Sequence, residues 1–307
     1  MAGPVSTTDV DEAIDLWRNR GWVVVDGLVP TADIDAAVEP DLWELFPRPE
    51  AFHANDPDVL SEFEENSTDV QRVRRDTEDE GQSFRLRQFL GHRHMPYPGT
   101  GRLNRLTVHP NVVDFAKRCM RSDDLRIYQT RLWGKYTGVT NYSQPFHQDR
   151  NHNIVPDRLE QDWWNLEGFL YLSDVDEGVA PTQVHGTGAQ PDPDAGHPAS
   201  GVRGSYLAYR PDVWHRGVDL TREGGSRFLM NIGFKHAGHD WIGYDSPQPT
   251  SNQPMWCKFA ASCTPEELAL FGAPLPGHPY WTRDLVNAMA IRYRGLDITP
   301  WIEALDD

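Results

Sequence analysis

LRIYQTRLW, residues 125–133, is the stretch where the chain changes character. β-Branched and aromatic residues dominate it, and a two-residue period sets Gln129, Arg131 and Trp133 on one strand face. Three further runs read the same way: WWNLEGFLYLSDV at 163–175, GSYLAYR at 204–210 and SRFLMNIGF at 226–234. Between them lies 181–204, rich in Pro, Gly, Ala and His and too long for an ordinary hairpin. That length predicts a loop covering a site.

Outward from these strands the pattern turns helical. Thr8, with Asp11 three residues on, resembles a capping box, and Val10, Ala13, Ile14 and Trp17 recur on one helical face. Gly21 stops that helix, and WVVVDG (22–27) reads as a short buried strand closed by an Asp-Gly turn. A second helix follows Thr31, with Pro40 expected to break it. Residues 48–108 show weak periodicity, and Pro110 suits the first turn of a helix carrying Val113, Ala116 and Met120. Past the strands, Thr264, Pro265 and Glu267 make a capping box whose helix ends at Gly272, and a last helix is expected near Thr282. The sum is a mainly β domain with flanking helices, spanning 1–307 as a helical flank (about 8–120), a strand core (about 121–236) and a C-terminal covering segment (237–307). No Gly-rich phosphate loop follows a strand, which disfavours a nucleotide-binding α/β fold.

Charge narrows the partners. Lys and Arg number 29 against 46 Asp and Glu, a net −17 that repels nucleic acid and anionic lipid. RDTEDEG (75–81) and EFEEN (62–66) carry much of the excess, and RVRR (72–75) is too short to reverse it. The longest apolar run, Trp22 to Val25, is far below a membrane span, and MAGPVSTTDVDEA lacks the basic and apolar parts of a secretory signal. Cys119, Cys257 and Cys263 have neither a disulfide framework nor zinc-knuckle spacing. A cytoplasmic protein is expected, with a small-molecule substrate and as monomer or homodimer.

The chemistry centres on Phe146-His147-Gln148-Asp149. On a strand, residues two apart point the same way, so His147 and Asp149 can meet one metal ion. VWHRG (213–217) offers His215 as a third ligand, and two histidines with one carboxylate form the facial triad of non-haem Fe(II) oxygenases. Twelve residues beyond His215, Arg227 opens another strand and is placed to clamp the far carboxylate of a metal-chelating cosubstrate. In this order the four residues point to 2-oxoglutarate. His152 reaches the metal only on a twisted or bulged strand and otherwise has a structural or supporting role. Asn165 and Glu167 share a face, as do Asn231 and Arg227, so each is a candidate substrate contact or a satisfied core group. Lys135 reads equally as a solvated lysine, His185 and His197 as surface residues, and Trp214 as wall.

RGWVVVDGLV (20–29), YQTRLWGK (128–135), PFHQD (145–149), LSDVDEG (172–178) and GSYLAYRPDVWHRG (204–217) together resemble the phytanoyl-CoA dioxygenase family. The YQTR element is similar to that of its member ectoine hydroxylase. The resemblance implies a double-stranded β-helix (jelly-roll, cupin-like) core, Fe(II), and 2-oxoglutarate and O2 as cosubstrates. It implies His147, Asp149 and His215 as iron ligands, Arg227 and Gln129 facing the cosubstrate, and Arg131 facing cosubstrate or substrate, and it aligns Lys135 with a lysine usual in the family. Related halogenases lack the carboxylate ligand, so Asp149 implies hydroxylation or another oxidation, with succinate and carbon dioxide released. GVAPTQVHGTG (178–188) departs from the family pattern, so substrate contacts are not carried across it, and the divergence suggests natural-product tailoring. A cupin-type metal-dependent hydrolase or isomerase is the competing reading, and it leaves Arg227 and Gln129 without a task. A non-catalytic metabolite-binding jelly roll is the third.

Overall fold

The computed structural model describes residues 5–54, 56, 92–137, 144–152, 164–242 and 253–306, with backbone alone for 92–94 and 151–152. Most of the 48–108 segment, the 138–143 and 153–163 stretches and part of the expected C-terminal cover lie outside them.

Helix α1 (Val10–Arg20) begins one residue later than Thr8 predicts. Asp9 is the cap, accepting from the amides of Asp11 and Glu12, because its short carboxylate reaches two exposed amides and suits the positive helix end. Gly21 ends the helix in the left-handed region (φ 98°), and a Cβ there would sit 2.7 Å from Val213. In α2 (Thr31–Asp41) the structure corrects the expectation for Pro40, which lies inside the helix. It falls in the last turn, and the Ala36 carbonyl that its missing N–H leaves open accepts from Arg102 at 3.0 Å. Short helices α3 (Pro49–His53) and α4 (Arg102–Leu106) precede α5 (Pro110–Met120), which buries Val112, Phe115, Ala116, Cys119 and Met120.

Among the described residues, seven strands form the larger sheet: β1 (Ser6–Thr7), β2 (Trp22–Val25), β3 (His92–His94), β4 (Leu125–Tyr136), β5 (Glu167–Tyr171), β8 (Tyr206–Tyr209) and β10 (Ser226–His236). Their order is β1-β2-β8-β5-β10-β4-β3, so the helical flank contributes three strands to it. The smaller sheet is β7 (His197–Pro198), β6 (Gln183–Gly186) and β9 (Trp214–Arg216), extended by a bridge between His147 and His215. From β4 onward the chain steps between sheets: β4, the His147 bridge, β5, β6 and β7, β8, β9, β10. With β4-β10-β5-β8 facing His147-β9-β6-β7, this is the path of a jelly roll. The 181–204 segment is therefore not a covering loop but carries two strands of the barrel wall.

Side chains divide by sheet face, as the strand period requires. Leu132, Tyr136, Phe228, Met230, Ile232 and Phe234 join the core shared with the helices, while Phe169, Tyr171, Leu207, Tyr209 and Leu229 pack with Val184, Ala199 and Val213 inside the barrel. On the outer side Phe228 meets Trp43 (5.2 Å, 88°) and Tyr136 (5.5 Å, 85°) edge to face, each pair adding ~0.5–1.5 kcal/mol beyond area burial. After the barrel come α6 (Pro254–Ala261), α7 (Pro265–Ala269) with the predicted Thr264–Glu267 capping box, α8 (Arg283–Arg292) capped by Thr282, and α9 (Thr299–Asp306), two helices more than expected among the described residues.

One turn ties flank to barrel. Between β8 and β9, the Arg210 guanidinium makes two 2.9 Å bonds to Asp212, donates to the Arg18 carbonyl (2.8 Å) and lies 3.9 Å over the Trp164 ring. The Arg210 amide donates to the Gly21 carbonyl at 2.8 Å. The Asp212 carbonyl in turn accepts from Gln148 at 2.6 Å.

Candidate metal centre and its barrel

His147, Asp149 and His215 come together: one ligand atom from each lies within 4.8 Å of the others. Asp149 Oδ2 is 3.3 Å from His215 Nε2, and Oδ1 is 4.0 Å from His147 Nε2. The two imidazoles face each other at 4.4 Å. Each Nδ1 is 3.1 Å from a backbone carbonyl two residues back, Pro145 for His147 and Val213 for His215. A carbonyl only accepts, so both Nδ1 atoms carry the proton and both Nε2 lone pairs are presented to the centre, as metal ligands require.

The local backbone differs from the strand reading. His147 sits in a single β-bridge, and Asp149 opens a 3-10 turn, Asp149–His152. His and Asp converge because the chain bends there, with Gln148 tethered to the Asp212 carbonyl between them. His152 lies on that turn rather than on a bulged strand, and its side chain is outside the described atoms.

Tyr209 was not among the sequence candidates. Its hydroxyl donates to Asp149 Oδ2 at 3.0 Å and its ring lies 4.5 Å from His215, so it orients the carboxylate. Burial, Asp149 and Glu167 hold the Tyr209 phenol well above its usual pKa, keeping that proton in place. For His215, burial pulls downward, but the Asp149 charge and hydrogen bond, the Val213 carbonyl and Glu167 outweigh it, and the pKa is raised.

Farther along the same face lies a cationic pair. Arg227 is opposite Lys135 in the β10–β4 register, and both are buried. Arg227 Nη1 donates to the Ala180 carbonyl, while Nε is buried with no partner among the described residues. Lys135 donates to the Val218 carbonyl. Burial, then the neighbouring guanidinium, lower the Lys135 pKa to about 7 against a weaker pull from Asp219, and burial lowers Arg227 to about 10. Lys135 is thus part of the barrel interior, not a solvated lysine.

Gln129, Arg131 and Asn231 share this inner face: Gln129 pairs with Gly233 and Arg131 with Asn231. Gln129 is buried, its Oε1 without a partner among the described residues. A register shift between Gly233 and Phe234 leaves Tyr128 opposite neither and turns its ring inward over Gly233. Glu167 lies beside Tyr209 in the β5–β8 pair. Its pKa is pushed up to about 8 by burial, opposed by His215 and an Asn231 hydrogen bond. Asn165 donates to Glu167 Oε1 (3.2 Å) and to the Tyr128 hydroxyl (2.8 Å). His185 is half-buried, with Nδ1 lacking a partner, and His197 is exposed, stacked on Trp22 at 6.5 Å.

No protein-family profile matches the chain, and no curated protein does. Solved structures that resemble it include the non-heme alpha ketoglutarate dependent epimerase SnoN from nogalamycin biosynthesis, at 12% identity and TM-score 0.46, covering 74% of this chain and 83% of that one. SnoN has also been crystallised with Fe3+, alpha ketoglutarate and nogalamycin RO. The carbocyclase SnoK from the same biosynthesis matches at 16% identity and TM-score 0.48 (77% and 88% covered). AviO1 from Streptomyces viridochromogenes Tue57 matches at 13% and 0.49 (76% and 97% covered). All are distant likenesses, and the ligand geometry above stands without them. Among the described residues, no helix is long and apolar enough to cross a membrane.

Proposed function

We propose that the protein is an Fe(II)- and 2-oxoglutarate-dependent oxygenase of the kind the phytanoyl-CoA dioxygenase resemblance suggests, acting on a small-molecule metabolite. The observation that carries the reading is one barrel holding both a His-Asp-His ligand set with correctly oriented imidazoles and, on the same face, the buried Arg227–Lys135 pair. The donor set suits Fe(II), and two buried cations with an unpartnered Nε suit the far carboxylate of a dicarboxylate cosubstrate.

When bound, the metal and 2-oxoglutarate supply the oxidising chemistry, with succinate and carbon dioxide as co-products. The chain's own residues do the rest. His147 and His215 present neutral Nε2 atoms, and Asp149, held by Tyr209, adds the single negative charge. Arg227 and Lys135 offset the dianion's remote charge, and Gln129 and Arg131 line the path between. Phe169, Leu207 and Leu229 make the wall apolar and keep bulk water out. Asn165, Glu167 and Asn231 face the substrate side. Hydroxylation, or another oxidation of a C–H bond in natural-product tailoring, is the outcome this arrangement serves. A cupin-type hydrolase would bury Arg227 and Lys135 for no task.

The test is an anaerobic titration of the metal-free protein with Fe(II) and then 2-oxoglutarate, read as the visible charge-transfer band of the chelate. The band forms in wild type, vanishes in His147→Ala and needs far more cosubstrate in Arg227→Ala. Its absence in folded, iron-loaded wild type overturns the reading.

A further inference from the structure

The inner face is polarised along β10. Arg227 and Lys135 stand at one end, and six residues on, ~20 Å along the strand, the groups around Gly233 present oxygen atoms instead. Asn231 is 2% exposed, and its Nδ2 donates to the Gly168 carbonyl at 3.1 Å. That bond fixes which end of the amide is oxygen, and Oδ1 is left buried without a donor among the described residues. A native structure keeps such an acceptor, at a cost of ~1–3 kcal/mol, when a ligand satisfies it.

Glu167 stands beside it. Oε1 takes the Asn165 amide, and Oε2 lies 3.2 Å from where a Cβ on Gly233 would be. The same Cβ would be 2.9 Å from the Tyr128 ring, so any larger residue at 233 would fill the space these groups surround. Asn231 is within hydrogen-bonding reach of Glu167. The patch adjoins the metal ligands, since Tyr209, paired with Glu167 across β5 and β8, bonds Asp149.

We propose that this patch is an ammonium seat: the substrate carries a basic nitrogen whose N–H groups go to the Glu167 carboxylate and to Asn231 Oδ1. Asn231 Oδ1 can only accept, and Glu167 becomes a second acceptor once a bound cation displaces the proton its burial retains, so the ligand group must be a donor. A carboxylate away from water is satisfied better by a cation than by a neutral hydroxyl, and an ammonium has three N–H groups to share. The cationic end of the barrel repels the same group, which orients an amine-bearing substrate opposite to the dicarboxylate. Calling the ligand a substrate rests on the oxygenase reading; the seat itself does not.

Cyclohexylammonium and cyclohexanol, alike in ring and different in charge, are the probes, titrated into metal-free full-length protein and followed by calorimetry. Wild type binds the ammonium at least about ten-fold tighter than the alcohol, the worth of one charge-assisted hydrogen bond. Glu167→Gln brings the two within about two-fold, and Glu167→Asp keeps the preference. Asn231→Leu, nearly isosteric, weakens the ammonium and leaves the alcohol unchanged, and stands in should Glu167→Gln unfold. Equal affinities in wild type, no binding of either probe, or a preference that survives Glu167→Gln overturns the seat. The Fe(II)–2-oxoglutarate band, recorded on the same preparations, judges the oxygenase reading separately: a band without the preference sinks the seat alone, and the preference without a band sinks only the oxygenase.

Discussion

Arg227 and Phe228 are neighbours in β10 and point to opposite sides of one sheet. Outside, Phe228 is enclosed by Trp43, Phe46 and Tyr136, rings that meet at 5.2–5.7 Å. Inside, Arg227, Asn231 and Gln129 are as deeply buried, yet each keeps a polar atom without a partner among the described residues. Burial alone therefore says nothing about purpose. The rings around Phe228 fill their space against one another, whereas the inner face gathers such polar atoms on one strand pair beside the candidate ligands, and that concentration marks the candidate site.

The strongest way to break this contrast is at a ligand. His215→Ala should lose more than about 100-fold in Fe(II) affinity, since losing a group that merely supports a ligand already costs ~10–100-fold; isothermal titration would show it. Outside, Phe228→Ala should cost ~3–5 kcal/mol of stability in a denaturant melt and leave the charge-transfer band of the surviving folded fraction intact. Arg227→Leu should do the reverse: unfolding unchanged or shifted upward, because an apolar replacement relieves a buried charge, while 2-oxoglutarate binds ~10–100-fold more weakly. Were Arg227→Leu to unfold as readily as Phe228→Ala, the two faces would not differ as argued.

The smallest expected effect is in the pH profile of the metal-free protein. Glu167 has its folded pKa raised to about 8 from 4.5, so the native state binds the extra proton, and its contribution is lost as pH climbs through 8. Lys135 has its pKa lowered to about 7 from 10.5, so its contribution is present above 10.5 and lost as pH falls through 7. Glu167→Gln should flatten the decline between 4.5 and 8, and Lys135→Met the rise between 7 and 10.5. Melts across pH 4–11 that are unchanged in both variants would refute the burial assigned to them.

How much of this was legible depended on whether the signal was local. Strands β4, β5, β8 and β10 announce themselves through β-branched and aromatic residues. The strands of the smaller sheet run two to four residues within Pro- and Gly-rich sequence, too short for any period, and the 181–204 stretch therefore reads as a loop. His147, Asp149, His215 and Arg227 are visible because their types and order carry chemistry. Tyr209 and Lys135 are not, since a tyrosine or lysine in a strand discloses its surroundings only once the opposite sheet is in place. The bulge that turns Tyr128 inward leaves no sequence mark except the glycine at 233 that makes room for it. The cap of α1 lies one residue beyond Thr8 and α2 runs one residue past Pro40, the ordinary blur at helix ends.

The Arg210 turn has a consequence for how the molecule can be cut. Its two donors to the flank reach Arg18 and Gly21, and through Asp212 and Val213 the same turn braces Gln148 and His215. A graft of residues 121–236 into another scaffold would carry the three candidate ligands and the Arg210 turn, but not Arg18 and Gly21, to which that turn is tied. The end of the first helix thus underpins the candidate metal centre, and a donor barrel has to be transplanted together with its N-terminal hook.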